Sequence, residues 1–218
     1  TTPYLHRVVA DGCIALIVDL KNPENTFIRG FVTNYTAYEF AGSFHYAGVC
    51  FYPGAFPLLF KLPAEEITNR FEQLNPFMPG CAKHMMQAFD RKVDIQVVKQ
   101  VFDKYFLEIL YKSSSAYDGR FFNAIDLILK SHGTLNVQSE LNTGVSPRQL
   151  RRLFEFYIGD TPKTFCNIVR FQHLINSRPT PACIRNKKIF YEAGYYDQAH
   201  FIKEFKKLYG LTPSLALQ

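Results

Sequence analysis

Three arginines, Arg148, Arg151 and Arg152, fall within five residues of one another in the stretch SPRQLRRLFEFYIGDTP, residues 146–162. A guanidinium presents paired donors that fit a phosphate, a carboxylate or the O6/N7 edge of guanine. A helix face carrying three of them is therefore built to hold an anion or a base edge. On a 3.6-residue period Leu150, Leu153, Phe154 and Tyr157 point inward, leaving Arg148, Arg151, Arg152 and Glu155 outside. Ser146 can cap the start of this helix and Gly159 can take the left-handed position past its end. Thr161-Pro162 then supplies the cap and first residue of a following helix.

The chain repeats this stretch 51 residues later as DQAHFIKEFKKLYGLTP, residues 197–213, with Asp197 as the cap. Leu150 aligns with Phe201, Phe154 with Phe205, Tyr157 with Leu208, Gly159 with Gly210, Thr161 with Thr212 and Pro162 with Pro213. Apolar and punctuating positions agree while the outward ones differ, as in two copies of one supersecondary unit.

Other side chains offer less. His45, His84, His132, His173 and His200 are scattered, with no H-x-x-x-H and no Cys/His pair at ligand spacing, so no metal site is expected. Glu65 and Glu66 follow Pro63 at a helix start, where they suit the helix dipole better than acid–base catalysis. Neither G-x-G-x-x-G nor a Walker-type loop occurs, and Gly42, Gly48 and Gly54 fit turns or bulges. No catalytic set and no cofactor is expected, and the chain does not read as an enzyme. The five cysteines, at 13, 50, 81, 166 and 183, are odd in number and lack a C-x-x-C pair, which suggests neither a disulfide framework nor zinc. Cys13 and Cys50 lie in apolar strand patterns and read as buried small hydrophobes. Tyr35, Tyr38, Phe40, Phe44, Tyr46, Phe51, Tyr52 and Phe56 either line a pocket for an apolar or planar ligand or build a plain core. Composition leaves both open.

The elements that must position the arginines emerge from charge and periodicity. A chain of 218 residues with 47% hydrophobic content supports two modest domains. Residues 1–116 hold 11 Lys+Arg against 11 Asp+Glu, whereas residues 117–218 hold 14 against 8, so the whole net charge of +6 lies in the half with the repeat. That is the footprint of a polyanion-binding module. The longest apolar runs, CIALIV and AFPLLF, are too short to cross a bilayer, no leader pattern is seen, and a reducing cytoplasm is the simpler expectation. The chain begins at Thr1 and not at Met, which leaves a segment upstream open.

Residues 13–20, 27–33, 35–40 and 45–52 read as strands, rich in β-branched and aromatic residues between Asn, Pro and Gly clusters. Helical patterns follow at AFPLLFKL, at Ala64 to Leu74, at CAKHMMQAFDR and at VDIQVVKQVFDKYFLEILYK. Lys112 to Asp118 is a polar, serine-rich linker, so domains are expected at 1–116 and 117–218. Beyond it, a helix from about Phe121 to Ser131, a short one from about Val137 to Leu141, a turn at Gly144 and the arginine helix make a helix-turn-helix. Residues 161–177 form a long connector, and Ile184 to Gly194 rebuild the first part of the unit before Asp197. The fold class is α+β, with a β-rich N-terminal domain followed by helices and an all-α C-terminal domain of two helix-turn-helix units.

The motifs GVSPRQLRRLFEFYIGDTPKTF and AGYYDQAHFIKEFKKLYGLTP resemble the double helix-turn-helix domain of the AraC/XylS class of bacterial transcription regulators, over roughly residues 120–213. DGCIALIVDL and GVCFYPGAFPLLF are similar, more weakly, to the N-terminal domain often fused to such modules. The resemblance implies base contacts by Arg148, Arg151 and Arg152 of the first reading helix, and by Gln198, Ala199, His200, Ile202 and Lys203 of the second. It makes Thr161, Lys163 and Lys206 candidate phosphate contacts. The family usually carries a small residue where this chain has Asn142 and Phe190, which implies altered packing behind both reading helices.

The function this implies is sequence-specific binding of duplex DNA in two successive major-groove segments, controlled through an N-terminal domain that senses a small molecule or mediates assembly. Double-stranded DNA is the expected partner, an effector and a homodimer are left room for, and a membrane is not expected. The alternative is a ligand-binding or protein-interaction scaffold that retains a decayed helix-turn-helix pair.

Overall fold

The computed structural model describes residues 4–40, 43–89, 94–113, 117–179, 190–191 and 193–216. Among the described residues the first half holds six strands. β1 (Tyr4–Val8) pairs antiparallel with β4 (Thr36–Phe40), with Val8 opposite Thr36. β2 (Ile14–Asp19), β3 (Thr26–Arg29), β5 (Tyr46–Phe51) and β6 (Phe71–Gln73) form a second antiparallel sheet in the order β5-β2-β3-β6. In the register Leu16 faces Ile28 on one side and Val49 on the other, and Leu16, Val18 and Ile28 are wholly buried. The strand-forming residues thus supply the core, as their β-branched character predicts.

Helices α1 (Ala55–Phe60), α2 (Pro79–Ala88) and α3 (Ile95–Lys112) cover this sheet. One core of fifteen buried residues runs from Ile14 to Phe102, with Phe51, Phe56, Met85 and Phe102 among its members. The second half is helical: α4 (Gly119–Lys130), α5 (Pro147–Tyr157), α6 (Pro162–Asn176), α7 (Gln198–Tyr209) and the short α8 (Pro213–Ala216). Its core gathers Phe121, Phe154, Phe165, Phe171, Phe190, Phe201 and Phe205, and it also takes in Ala10 and Phe31 from the first half. The α+β class is as expected.

Three local expectations need correction. The helix foreseen at Ala64 to Leu74 is a single 3-10 turn, Ala64–Glu66, followed by β6. Its register breaks because Thr68 and Asn69 are used elsewhere: the Asn69 side chain accepts from the Thr33 N–H at 2.8 Å while its own backbone sits at φ 58°. Phe71, foreseen on a helix, then stacks on Phe27 at 4.9 Å as a strand residue. The helix foreseen at Val137 to Leu141 is one hydrogen-bonded turn, closed by the Glu140 N–H on the Asn136 carbonyl at 2.8 Å. Asn136 caps it through the amides of Gln138 and Ser139, and the Asn142 side chain accepts from Gly144 N–H, which ends it. Gly48 lies within β5 and not in a turn. Most of the segment Ile184 to Ala193 lies outside the described residues.

Phe121 fixes α4 against α5. It is fully buried, stacks on Tyr157 at 4.7 Å and meets Phe154 edge-on at 5.2 Å. Phe121→Ala is expected to cost about 3–5 kcal/mol of unfolding free energy; a urea unfolding midpoint within error of the parent protein would contradict this packing.

Candidate nucleic-acid interface

Both copies of the repeat form the helices their caps foretell. The Ser146 hydroxyl accepts from the Gln149 N–H at 3.3 Å at the head of α5, and the Asp197 carboxylate accepts from the His200 N–H at 2.7 Å at the head of α7. Leu150 and Phe154 are buried under α5, and Phe201, Phe205 and Leu208 under α7. Leu153 and Tyr157, foreseen inside, are only partly covered. Both C-terminal glycines are left-handed, Gly159 at φ 101° and Gly210 at φ 90°.

Opposite these apolar faces, Arg148, Arg151, Arg152, Gln198, Ala199, His200, Ile202 and Lys203 are all exposed. They do not present equal chemistry. Arg151 donates through Nε to Glu155 at 2.8 Å, one turn on, and this bond raises its pKa further. Arg148 and Arg152 form no ion pair among the described residues. His200 turns along its helix, with Nε2 3.8 Å from Glu204 Oε1, an oxygen that also accepts from Asn167 Nδ2 of α6 at 2.9 Å. It thus approaches a carboxylate that also holds the connector helix. Lys163 and Lys206 are exposed. The Thr161 hydroxyl is spent inside its own helix, on the Thr164 N–H at 3.2 Å and the Thr164 hydroxyl at 3.0 Å.

The two positions that depart from the family's small residue behave differently. Asn142 is exposed; Leu141 and Thr143 beside it are the buried residues, so the expected altered packing does not arise at Asn142. Phe190 is buried and stacks on Phe201 at 5.8 Å. The large side chain has room there.

Sequence reasoning missed Arg170. From the middle of α6 its guanidinium donates to the Gly133 carbonyl at 2.8 and 3.1 Å and to the Gly194 carbonyl at 3.0 Å, and lies 5.4 Å from the Tyr195 ring centroid. It ties the turn that precedes the first unit to the turn of the second. The available signal was an arginine in a mostly apolar helix, with helix-ending glycines to either side in sequence. His132 and His173 also come together, their rings stacked at 3.8 Å. Among the described residues no group of three or more His, Cys, Asp or Glu could hold a metal ion.

In the first half, Tyr38, Phe44 and Tyr46 line a cavity of about 280 Å³ between the two sheets, with Phe71, Ile17, His6 and Arg29. Arg29 is buried and forked onto Asp11, at 2.5 and 3.1 Å. The other aromatics foreseen near a pocket go elsewhere: Phe51 and Phe56 are core, Tyr52 is exposed and Tyr35 lies against Gly210. The Phe40 side chain lies outside the described residues. Cys50, foreseen as buried, is exposed, since it points away from the core on β5; Cys13 is partly buried, and burial followed by Asp11 pushes its thiol up to about 11.

Residues 142–218 match the family described as helix-turn-helix domain, and residues 1–73 match a domain of unknown function, DUF6597. The C-terminal part of the chain, residues 142–218, thus carries a helix-turn-helix domain. No curated protein matches it. Solved structures of ToxT from Vibrio cholerae are similar over most of both chains. One from strain O395 shares 15% identity over 99% of this chain and 96% of that one, with a TM-score of 0.47. A second ToxT structure shares 16% over 99% and 97%, with a TM-score of 0.48. No described helix is long and apolar enough to cross a membrane.

The helix heads can be tested directly. Asp197→Ala removes the acceptor that holds His200 N–H and is expected to destabilise the protein by about 1 kcal/mol. Amide exchange should quicken at His200 and the residues that follow it; unchanged protection there would mean that the cap does not hold α7.

Proposed function

We propose that the chain reads duplex DNA through α5 and α7, each in its own major-groove segment, and that residues 1–116 control this reading while residues 117–218 perform it. The observation that carries the proposal is the matched construction of the two helices: a capping side chain at the head, aligned buried residues beneath, a left-handed glycine past the end, and an exposed outer face on each, basic on α5 and mixed on α7. Arg148 and Arg152 are the principal base readers, because Arg151 is already engaged by Glu155. Gln198 can reach adenine with paired hydrogen bonds, and Lys203 can reach a base or a phosphate. Ala199 and Ile202 offer apolar contact, for instance to a thymine methyl. Lys163 and Lys206 take phosphates, with the α6 N-terminus beside Lys163 favouring an anion.

On this reading α5 is the main determinant of specificity and α7 positions more than it reads. The apolar Ala199 and Ile202 on the outer face of α7 support that division. The motive for the scaffold alternative weakens, since Asn142 does not crowd the first unit and Phe190 is accommodated in the second. The cavity between the sheets is the proposed effector site. Its aromatic walls suit a small planar or apolar molecule, and the Arg29 guanidinium in its wall is paired with Asp11.

Selection of bound duplexes from a random pool, with and without a metabolite extract, tests the reading and its control together. The expected product is an asymmetric site spanning about two helical turns. Arg148→Ala and Arg152→Ala should each lose about 10- to 100-fold in discrimination, the worth of one good arginine–guanine contact. Arg151→Ala should lose less. Affinity should fall with salt by about 0.9 log units per log unit for each neutralised phosphate. No enrichment over the starting pool, with a flat salt response, would sink the proposal.

A further inference from the structure

The N-terminal unit touches both reading helices at equivalent places. Past the end of α5, the Thr68 hydroxyl lies 3.0 Å from the Gly159 carbonyl, close enough to donate to it, and also 3.0 Å from the Ala64 carbonyl. A Cβ on Gly159 would stand 1.9 Å from that hydroxyl. At the end of α7, Tyr35 N–H donates to the Lys207 carbonyl at 2.9 Å and Ala10 N–H to the Leu208 carbonyl at 3.2 Å. The Tyr35 ring occupies the space a Cβ on Gly210 would need, at 2.6 Å. Gly159 and Gly210 are the aligned glycines of the repeat. Each therefore does two jobs, ending its helix and admitting a side chain from the N-terminal unit.

The two points of contact are joined to each other. Asn69 N–H donates to the Phe31 carbonyl at 2.8 Å, and its side chain accepts from Thr33 N–H. The segment that bears Thr68 is thus stitched to the segment that leads to Tyr35. Gln172 of α6 adds a short hydrogen bond to the Ala10 carbonyl. None of this covers the outer faces: Arg148, Arg152, Gln198 and Lys203 remain exposed with both contacts made.

We infer that the N-terminal unit is a splint that fixes the orientation of α5 relative to α7, and so the spacing of the two base segments the protein accepts, with Tyr35 and Thr68 as the positioning residues. The inference rests on the reading above, in which both helices lie on one duplex. An inserted base pair moves the second segment by about 3.4 Å and turns it by about 35°, so a splinted pair cannot follow it.

The test uses the whole chain, the selected site and a set of duplexes with one to three base pairs inserted or removed between its segments. The parent protein is expected to lose about tenfold or more per step, comparable to one lost base contact. Tyr35→Ala combined with Thr68→Val should flatten this profile to about threefold while base preference within each segment is kept, with faster amide exchange at Ala10 and residue 35. A variant that loses this amide protection yet keeps the parent's spacing profile overturns the inference. So does a parent protein that binds every spacing alike. Parent protein that binds no duplex selectively defeats the DNA-reading proposal instead, and the exchange at Ala10 and Tyr35 still reports whether the two parts dock. Thr68→Val alone keeps shape and β-branching, and serves if the double variant fails to fold.

Discussion

A helix that stops inside a molecule leaves carbonyl groups without partners, and a buried one left so costs about 1–3 kcal/mol. The arrangement of this protein follows from where those partners come from. Gly133 and Gly194 present carbonyls to the Arg170 guanidinium of α6. Gly159 presents its carbonyl to Thr68, and Lys207 and Leu208 present theirs to the backbone of Tyr35 and Ala10. In each case the donor belongs to a different element from the acceptor. Helix ends are therefore the joints at which the helix-turn-helix pair is fastened, to its own connector on one side and to the β-rich half on the other.

What could be read from the sequence divides along the same line. Ser146, Asp197, Thr161, Gly159 and Gly210 act within a few residues of themselves, so their caps and ends were legible as local chemistry. Periodicity placed Leu150 and Phe154 in the buried face of α5, and alignment with them placed Phe201 and Phe205 in that of α7, while Leu153 and Tyr157 are only partly covered. Arg170 was not legible, because its acceptors lie 37 and 24 residues away and nothing in the α6 pattern names them. Ala64 to Leu74 looked helical for a related reason. Its acidic start and apolar end satisfy a helix until Thr68 and Asn69 are drawn off by Gly159 and Thr33, partners that only the tertiary fold supplies.

The proposed reading site was half legible. Exposure of the outward residues could be foreseen, but not which were already engaged. The ion pair between Arg151 and Glu155 is an ordinary four-residue spacing and was open to notice. The turn of His200 toward Glu204 depends on Asn167, one helix back, which holds the same carboxylate oxygen. In the second copy of the repeat one outward residue, His200, thus stands beside a carboxylate that joins two helices. Charge followed the same course: the excess of basic residues in the second half is real, yet only part of it lies on the two reading faces.

The cavity between the sheets stands near the joints just described. β3 contributes Arg29 to its wall, and six residues later the chain reaches Tyr35 beneath Gly210. Phe71 contributes another part of the wall, and Thr68 lies three residues before it. Both segments that leave the cavity thus end on a reading helix, and Asn69 ties them together on the way. A shift of β3 or β6 would have few unbonded residues in which to be absorbed. Coupling between such a pocket and the helices needs two arrangements of this stitched pair, and not merely proximity. At Gly210 the ring of Tyr35 fills the space a Cβ would need, so this joint can form only on a glycine, the residue the end of the helix also requires.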